Sequence, residues 1–329
     1  MRILITGGAG FIATELAFAL LRKRTLRNAD NVERDIQEAI LFDLAVPRNA
    51  ITDSRVKYVV GELLEGSKIA GLVADVDTIV HLAAVVSGQA EADLGLGLSV
   101  NLDGTRVLLD AAGASGRRSK FLFASSCAVF GGSVGLHVMD ETIPAPESSY
   151  GTQKLCCEYL VADYHRRGLI DGRSMRFPTV AIRPGAPNAA NSSFISSIVR
   201  EPVDGKVAIC PVGPDVPIAL ISPARLVEAI LIVHDVTSGA IGWPRTLTFP
   251  AVQVTARSML DALRAQRGSA ITDLVRFEVN ERIEAMVRSW PASIESKRAR
   301  ALGIEPDSGA DAIVSQYLDS YNDAKAIQP

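Results

Sequence analysis

Arg2-Ile3-Leu4-Ile5-Thr6-Gly7-Gly8-Ala9-Gly10-Phe11-Ile12-Ala13 opens the chain and decides its fold class. Residues 2–6 read as a short buried strand running into a glycine turn, and an apolar helix follows from Phe11 through Leu21. Glycines at a strand-to-helix turn let the backbone approach a pyrophosphate, while the unpaired amides at the helix start favour its charge. The spacing Gly7, Gly10, Ala13 departs from the commoner Gly-x-Gly-x-x-Gly, and Ala13 stands where a third glycine is usual. A small residue there still permits close packing of helix on strand. A glycine turn without context is often only a turn; here strand and helix both flank it, which points to dinucleotide binding.

Further along, strands are expected near 39–43, 55–60, 77–82, 119–125 and 173–182, with helices near 11–23, 66–74, 89–114 and 149–168. This alternation predicts an α/β fold, a doubly wound parallel sheet. Ala39-Ile40-Leu41-Phe42-Asp43 ends in a carboxylate that could accept from an adenosine ribose and would repel a 2'-phosphate, favouring NAD over NADP. A loop or N-cap carboxylate is the plainer reading of Asp43, and the polar stretch from Arg22 to Glu38 is longer than the tight connection expected before it. From Pro184 the alternation breaks, with prolines at 184, 187, 202, 211, 214, 217 and 223 and helical patterns near 222–235, 255–266, 278–288 and 309–325. The chain therefore divides into an expected nucleotide-binding domain, 1–183, and a mainly substrate-binding lobe, 184–329, some of whose segments return to the first domain.

The 329 residues, 48% hydrophobic, suffice for a sizeable core. A net charge of -3 gives no reason to expect nucleic acid or an anionic membrane as partner. No apolar run reaches membrane-span length, and a strand starting at residue 2 leaves no room for a signal peptide, so a cytoplasmic protein is expected. Cys127, Cys156, Cys157 and Cys210 have no zinc spacing and read as reduced packing residues. His81, His137, His165 and His234 are scattered rather than grouped as for a metal, and His81 is expected to pack at its strand end. Trp243, Trp290 and the cluster Arg298 to Arg300 read as core or solvated face.

Ser149-Tyr150-Gly151-Thr152-Gln153-Lys154 puts a phenol and an ammonium at i and i+4, on one helix face. A tyrosine of ordinary pKa about 10 is a poor base at neutral pH, but a fixed positive neighbour favours its phenolate, making Tyr150 a candidate proton acceptor. Two helix-surface residues would satisfy the motif equally well. Lys120-Phe121-Leu122-Phe123-Ala124-Ser125-Ser126 is an apolar strand that stops at hydroxyls, and ligands of open parallel sheets bind outside such carboxyl ends. Ser126 is thereby placed to meet Tyr150 over a ligand.

With these residues in view, the chain resembles the short-chain dehydrogenase/reductase superfamily, in its extended, epimerase-like branch. The resemblance rests on Thr6 to Ile12, His81-Leu82-Ala83-Ala84, Asn101-Leu102-Asp103-Gly104-Thr105, Ser126 five residues before Gly131, and Tyr150 to Lys154. Residues 84–93, Ser148 to Lys154, Arg183-Pro184-Gly185-Ala186-Pro187-Asn188 and Ile198 to Pro202 are further similar to the D-erythronate dehydrogenase group of that branch.

The resemblance implies a Rossmann domain and oxidation by NAD of the 2-hydroxyl of a short sugar acid. Tyr150 would be the base, Lys154 would lower its pKa and bond the nicotinamide ribose, and Ser126 would hold the substrate oxygen. Asn101 would support Lys154 through water. Gly7, Gly10, Phe11, Ile12, Asp43, Leu82, Ala83, Ala84 and Pro178 would line the cofactor, with Glu62 and Leu63 beside its adenine. A homodimer is expected by the same analogy.

An acid substrate needs a cation, and Arg183, just past the sixth strand, suits a carboxylate through its planar fork. A structural ion pair at the domain junction is its alternative. Arg176 is a rival, although its place within a strand favours a structural role; Ser87, Gln89, Thr179, Asn188 and Ser192 are further polar candidates. Two other functions share the scaffold: a nucleotide-sugar epimerase that retains NAD, and a non-catalytic NAD sensor. A dehydratase fits less well, because Cys127 and Ala128 occupy the places of its usual acid pair.

Overall fold

The computed structural model describes residues 1–185 and 192–327, with side chains described as far as residue 322. Seven strands make the central sheet: β1 (Arg2–Thr6), β2 (Glu38–Asp43), β3 (Val56–Val60), β4 (Thr78–His81), β5 (Lys120–Ser126), β6 (Asp171–Phe177) and β7 (Thr246–Thr248). Their order is β7-β6-β5-β4-β1-β2-β3, all neighbours parallel. Ile3, Leu4 and Ile5 are all fully buried, because helices cover both faces of the sheet; a run of apolar residues rather than an alternation is the result.

On one face, α1 (Phe11–Lys23) packs with the helix Pro223–Asp235, where Leu16, Leu20, Leu226 and Ile230 close over Leu122. On the other face, α2 (Gly66–Val73), α3 (Gly104–Ala114) and α4 (Ser149–Arg166) bury Ile69, Leu108, Leu109, Cys157 and Val161 against Phe121 and Phe123. A separate core surrounds a three-stranded sheet of Thr179–Val180, Ile218–Ile221 and Val252–Val254. It gathers α5 (Ser193–Val203), α7 (Ala256–Arg267) and α8 (Ala310–Ile327), while α6 (Pro223–Asp235) and β7 rejoin the first core. The order reverses between β1 and β4, and the carboxyl ends of these two strands open the crevice where such sheets take their ligands.

Three expected elements differ. The single helix near 89–114 is interrupted: Ser87–Ala92 is followed by Leu94–Gly97, a π-helical turn Leu98–Asp103, and only then α3. Asp93 is extended and its side chain accepts from Leu96 N at 2.9 Å, so it ends one helix and caps the next, while Gly95 and Gly97 weaken the interior. The strand near 173–182 stops at Phe177, because Pro178 has no amide to continue the ladder; Thr179–Val180 pairs instead with Ile218–Ile221. The long polar stretch after α1 forms a hairpin, Thr25–Arg27 with Glu33–Asp35.

At the amino ends of the strands a buried cation ties the layers together. Arg173, 1% exposed, donates to the carbonyls of Val233, His234 and Val236 at the end of α6 and pairs with Asp171 at 2.6 Å. Lys120 reaches the same helix end, donating to His234 O at 2.6 Å and to Arg27 O of the hairpin at 2.7 Å. Both charges meet the negative pole of α6. Replacing Arg173 by Met should lower the unfolding free energy by about 3–5 kcal/mol, because it strands buried carbonyls and part of a carboxylate; urea denaturation reads this directly.

Candidate active site

Ser148 caps α4, its hydroxyl accepting from Gly151 N at 3.1 Å, so the helix begins at Ser149 and carries Tyr150 in its first turn. Gly151 allows α4 to approach the turn Cys127–Val129: a Cβ there would lie 2.0 Å from the carbonyl oxygen of Ala128. Ser126 starts that turn, accepting from Ala128 N at 3.1 Å, and its hydroxyl lies near enough to the Tyr150 phenol to lower its pKa. Serine and tyrosine, 24 positions apart in sequence (150 minus 126), thus meet at the end of β5.

Burial pushes the Tyr150 phenol up to about 12, and the adjacent Cys127 thiol adds to the rise; the Arg183 guanidinium and the Ser126 hydroxyl oppose it. The expectation that Lys154 sets this acidity meets a different arrangement. Its ammonium donates to Ala124 O at 2.8 Å and lies 4.8 Å from the centre of the Phe123 ring and 5.6 Å from that of Tyr150. The Arg183 guanidinium is the cation that opposes the rise in the phenol's pKa, while the Lys154 ammonium is bonded to a strand carbonyl. Burial lowers Lys154 to about 8, with Cys157 and Glu158 opposing the drop.

Arg183 is held by its own neighbours: Nε donates to Val180 O at 2.9 Å and Nη2 to Ser192 Oγ at 3.4 Å. Burial lowers its pKa, Tyr150 raises it, and among the described residues no carboxylate pairs with it. Among the described residues, then, no ion pair of the kind weighed as its alternative holds it. Arg176, the rival, is spent on Glu158, donating from Nε and Nη2 to both carboxylate oxygens. Ser87 starts the helix after β4, Gln89 is exposed, Thr179 is half-buried beyond β6, and Asn188 lies outside the described residues.

Asn101 sits on the π-helical turn. Its side chain accepts from Val85 N at 2.8 Å and donates to Val85 O and to Gln153 Oε1, and among the described residues no direct bond joins it to Lys154. His81 packs as expected, between Phe121 and Phe123, with Thr6 and Thr105 hydroxyls on its two nitrogens. Burial lowers it to about 3, so it is neutral.

The residues expected around a dinucleotide gather at the strand ends. Gly7 has φ +73°, and a Cβ there would lie 2.9 Å from Ala83 N; one on Gly8 would lie 2.7 Å from the Leu41 carbonyl carbon. The loop is thus pressed against the ends of both neighbouring strands. Gly10 caps α1 without a side-chain bond, leaving the amides of Phe11 and Ile12 at the positive end of the helix. Asp43 accepts from Ala9 N at 2.9 Å, which fixes its carboxylate beside this loop. Leu63 is buried against Gly104, Glu62 is exposed beside it, and Leu82, Ala83 and Ala84 leave β4 half-buried. Pro178 is buried past β6. A side-chain-free cradle, free amides and a flanking carboxylate fit a dinucleotide such as NAD.

Gly151 and Glu158 escaped the reading of the sequence. Glu158 had a signal, being i+4 from Lys154 and i+8 from Tyr150 on one helix face; Gly151 had none, because its partner, Ala128, is distant in the chain. Among the described residues no group of His, Cys, Asp and Glu could hold a metal, and no helix is long and apolar enough to cross a membrane.

Residues 3–221 match the NAD dependent epimerase/dehydratase family. The chain is similar to D-erythronate dehydrogenase from Cupriavidus necator, 43% identical over 99% of this chain and 100% of that one. D-erythronate dehydrogenase from Haemophilus influenzae is 38% identical over 97% of this chain and 99% of its own. A crystal structure described as a nucleoside-diphosphate-sugar epimerase from Agrobacterium tumefaciens superposes with a TM-score of 0.90 at 37% identity, covering 97% of this chain and 94% of that one.

Because Gly7 combines a left-handed φ with contact at Ala83 N, Gly7→Ala should cost NAD binding about 3 kcal/mol, on the order of 100-fold in Kd. Calorimetric titration with NAD measures it, and an unchanged Kd would remove the loop from the cradle.

Proposed function

The chain belongs to the NAD dependent epimerase/dehydratase family, and from that premise we propose that it oxidises the 2-hydroxyl of a short sugar acid of the D-erythronate type to the 2-oxo acid. Arg183 is the observation that carries the choice of substrate. In a 2-hydroxy acid the reacting carbon bears the carboxylate, so the group that binds the acid must lie beside the group that takes the proton. Arg183 has no acid partner among the described residues, and its charge acts on the Tyr150 phenol.

In this reading Tyr150 accepts the hydroxyl proton while Ser126 bonds the same oxygen as it becomes a carbonyl. Arg183 grips the carboxylate and, with the Lys154 ammonium, favours the phenolate against the effect of burial. Lys154 is assigned to the nicotinamide ribose, Ser87 and Thr179 to the substrate's other hydroxyls. Asn101 acts indirectly, fixing the backbone of Val85 beside the crevice. Bound NAD supplies the acceptor for the hydride. Residues 1–183 are assigned chiefly to the cofactor and 184–329 chiefly to the substrate. Exposed Leu94, Leu98 and Tyr159 on neighbouring helices are the face assigned to a second copy of the chain, which light scattering tests.

The test is NADH formation from D-erythronate and other four-carbon sugar acids. Tyr150→Phe should lower kcat by about 100-fold or more with NAD affinity nearly unchanged. Loss of a charged bond to the acid should make Arg183→Ala raise KM by about 30-fold; an unmoved KM would release Arg183 from the substrate. UDP-sugar interconversion without net NADH would replace this reading by an epimerase. NAD binding with neither reaction would leave a sensor.

A further inference from the structure

The last three residues of β5 and one face of α4 meet in register. Ala124 O takes the Lys154 ammonium at 2.8 Å, Ser125 Oγ donates to Glu158 Oε1 at 2.5 Å, and Ser126 lies beside Tyr150. Tyr150, Lys154 and Glu158 follow one another at intervals of four, so one helix face supplies all three partners. The first two belong to the proposed chemistry; Glu158 has no part in it so far.

Glu158 is an unusual group to find there. Its side chain is 4% exposed, and the cost of burying its charge is offset by the fork of Arg176, whose Nε lies 2.9 and 3.2 Å from the two oxygens and whose Nη2 lies 2.7 Å from Oε2. The guanidinium is itself stacked 5.1 Å from the centre of the Phe130 ring. Arg176 belongs to β6, one residue before its end, so the pair joins the helix of the proposed base to the strand that leads to Pro178 and Thr179.

We propose that Glu158 is a positioning residue: pinned by Ser125 and Arg176, its carboxylate supplies, one helical turn along α4, the negative charge that favours the Lys154 ammonium at the end of β5. The groups around Lys154 single it out. On α4 these are Tyr150, Cys157 and Glu158; on β5, the Phe123 ring and the Ala124 carbonyl; on β4, His81, held neutral by burial. Arg176 on β6 is bonded to Glu158. Burial keeps the Cys157 thiol protonated, up at about 11. Glu158 is therefore the anion that opposes the desolvation of Lys154, whose pKa burial has already brought to about 8. A lysine with a lowered pKa loses its proton sooner as pH rises, and removing the carboxylate moves that loss to still lower pH.

Two variants test this. Glu158→Gln keeps the size but removes the charge and turns one of the two accepting oxygens into an NH2 donor; the double variant Glu158→Leu with Arg176→Met replaces the whole ion pair by apolar side chains, which folded proteins often tolerate. The primary readout is the titration midpoint of the Lys154 side chain by 15N NMR, its signal assigned with Lys154→Arg. The midpoint should fall by about one pH unit in both variants, a tenfold change in the ammonium-to-amine ratio. The alkaline limb of kcat with D-erythronate should move down with it. An unmoved midpoint in whichever variant folds, or a kcat lowered equally at every pH, overturns the inference. The rate readout alone rests on the dehydrogenase reading: if no sugar acid is turned over, that reading fails, and the NMR midpoint still decides the role of Glu158.

Discussion

At Gly151 a hydrogen atom faces the carbonyl of Ala128 where any other residue would thrust a carbon to within 2.0 Å of the oxygen. This contact lets the first turn of α4 lie on the turn that ends β5, and everything argued about the site follows from it. Without it the phenol of Tyr150 would stand away from Ser126, and Lys154 and Glu158, carried on the same helix, would lose Ala124 and Ser125 as partners. The contact joins elements whose own stability comes from elsewhere: α4 is anchored by Val161 and Cys157 in the core beneath the sheet, and β5 by neighbours on both sides. The site is thus held by a rigid scaffold rather than by its own polar bonds.

The electrostatics divide between the two ends of the sheet. At the amino ends, Arg173, Arg245 and Lys120 are buried and bonded to Asp171, the hairpin and the carbonyls that close α6, an arrangement that binds the layers together. At the carboxyl ends the balance is left open. Among the described residues the Arg183 side chain is bonded only to the Val180 carbonyl and the Ser192 hydroxyl, the first amides of α1 have no side-chain cap, and the Tyr150 phenol is raised by burial with a guanidinium opposing it. Positive charge with no carboxylate partner among the described residues, beside a buried phenol, accords with the proposed anionic substrate, whose alcohol must give up a proton.

Much of this was legible in the chain because it is local. Strand, glycine turn and helix at the amino terminus lie within 23 residues, and helical spacing places Tyr150 and Lys154 on one face whatever the rest of the molecule does. The interruption of the helix near 89–114 was less legible, since Gly95 and Gly97 lower helix stability without saying whether packing will override them. The place of Arg176 in a strand favoured a structural role, but its ion-pair partner was not legible, since Glu158 lies on a different element.

By itself the sequence determined the alternation of strands and helices up to about residue 183, the apolar runs that must be buried on both faces, the glycine-lined turn and the family to which they belong. These depend on residues close in the chain, where backbone freedom and periodicity decide the outcome. Only the tertiary structure decided that Lys154 bonds the Ala124 carbonyl, that Arg183 acts on Tyr150, and that Glu158 faces Ser125 and Arg176. Those pairings depend on burial and on distances between separate elements, and a buried charge takes whichever partner packing leaves within reach.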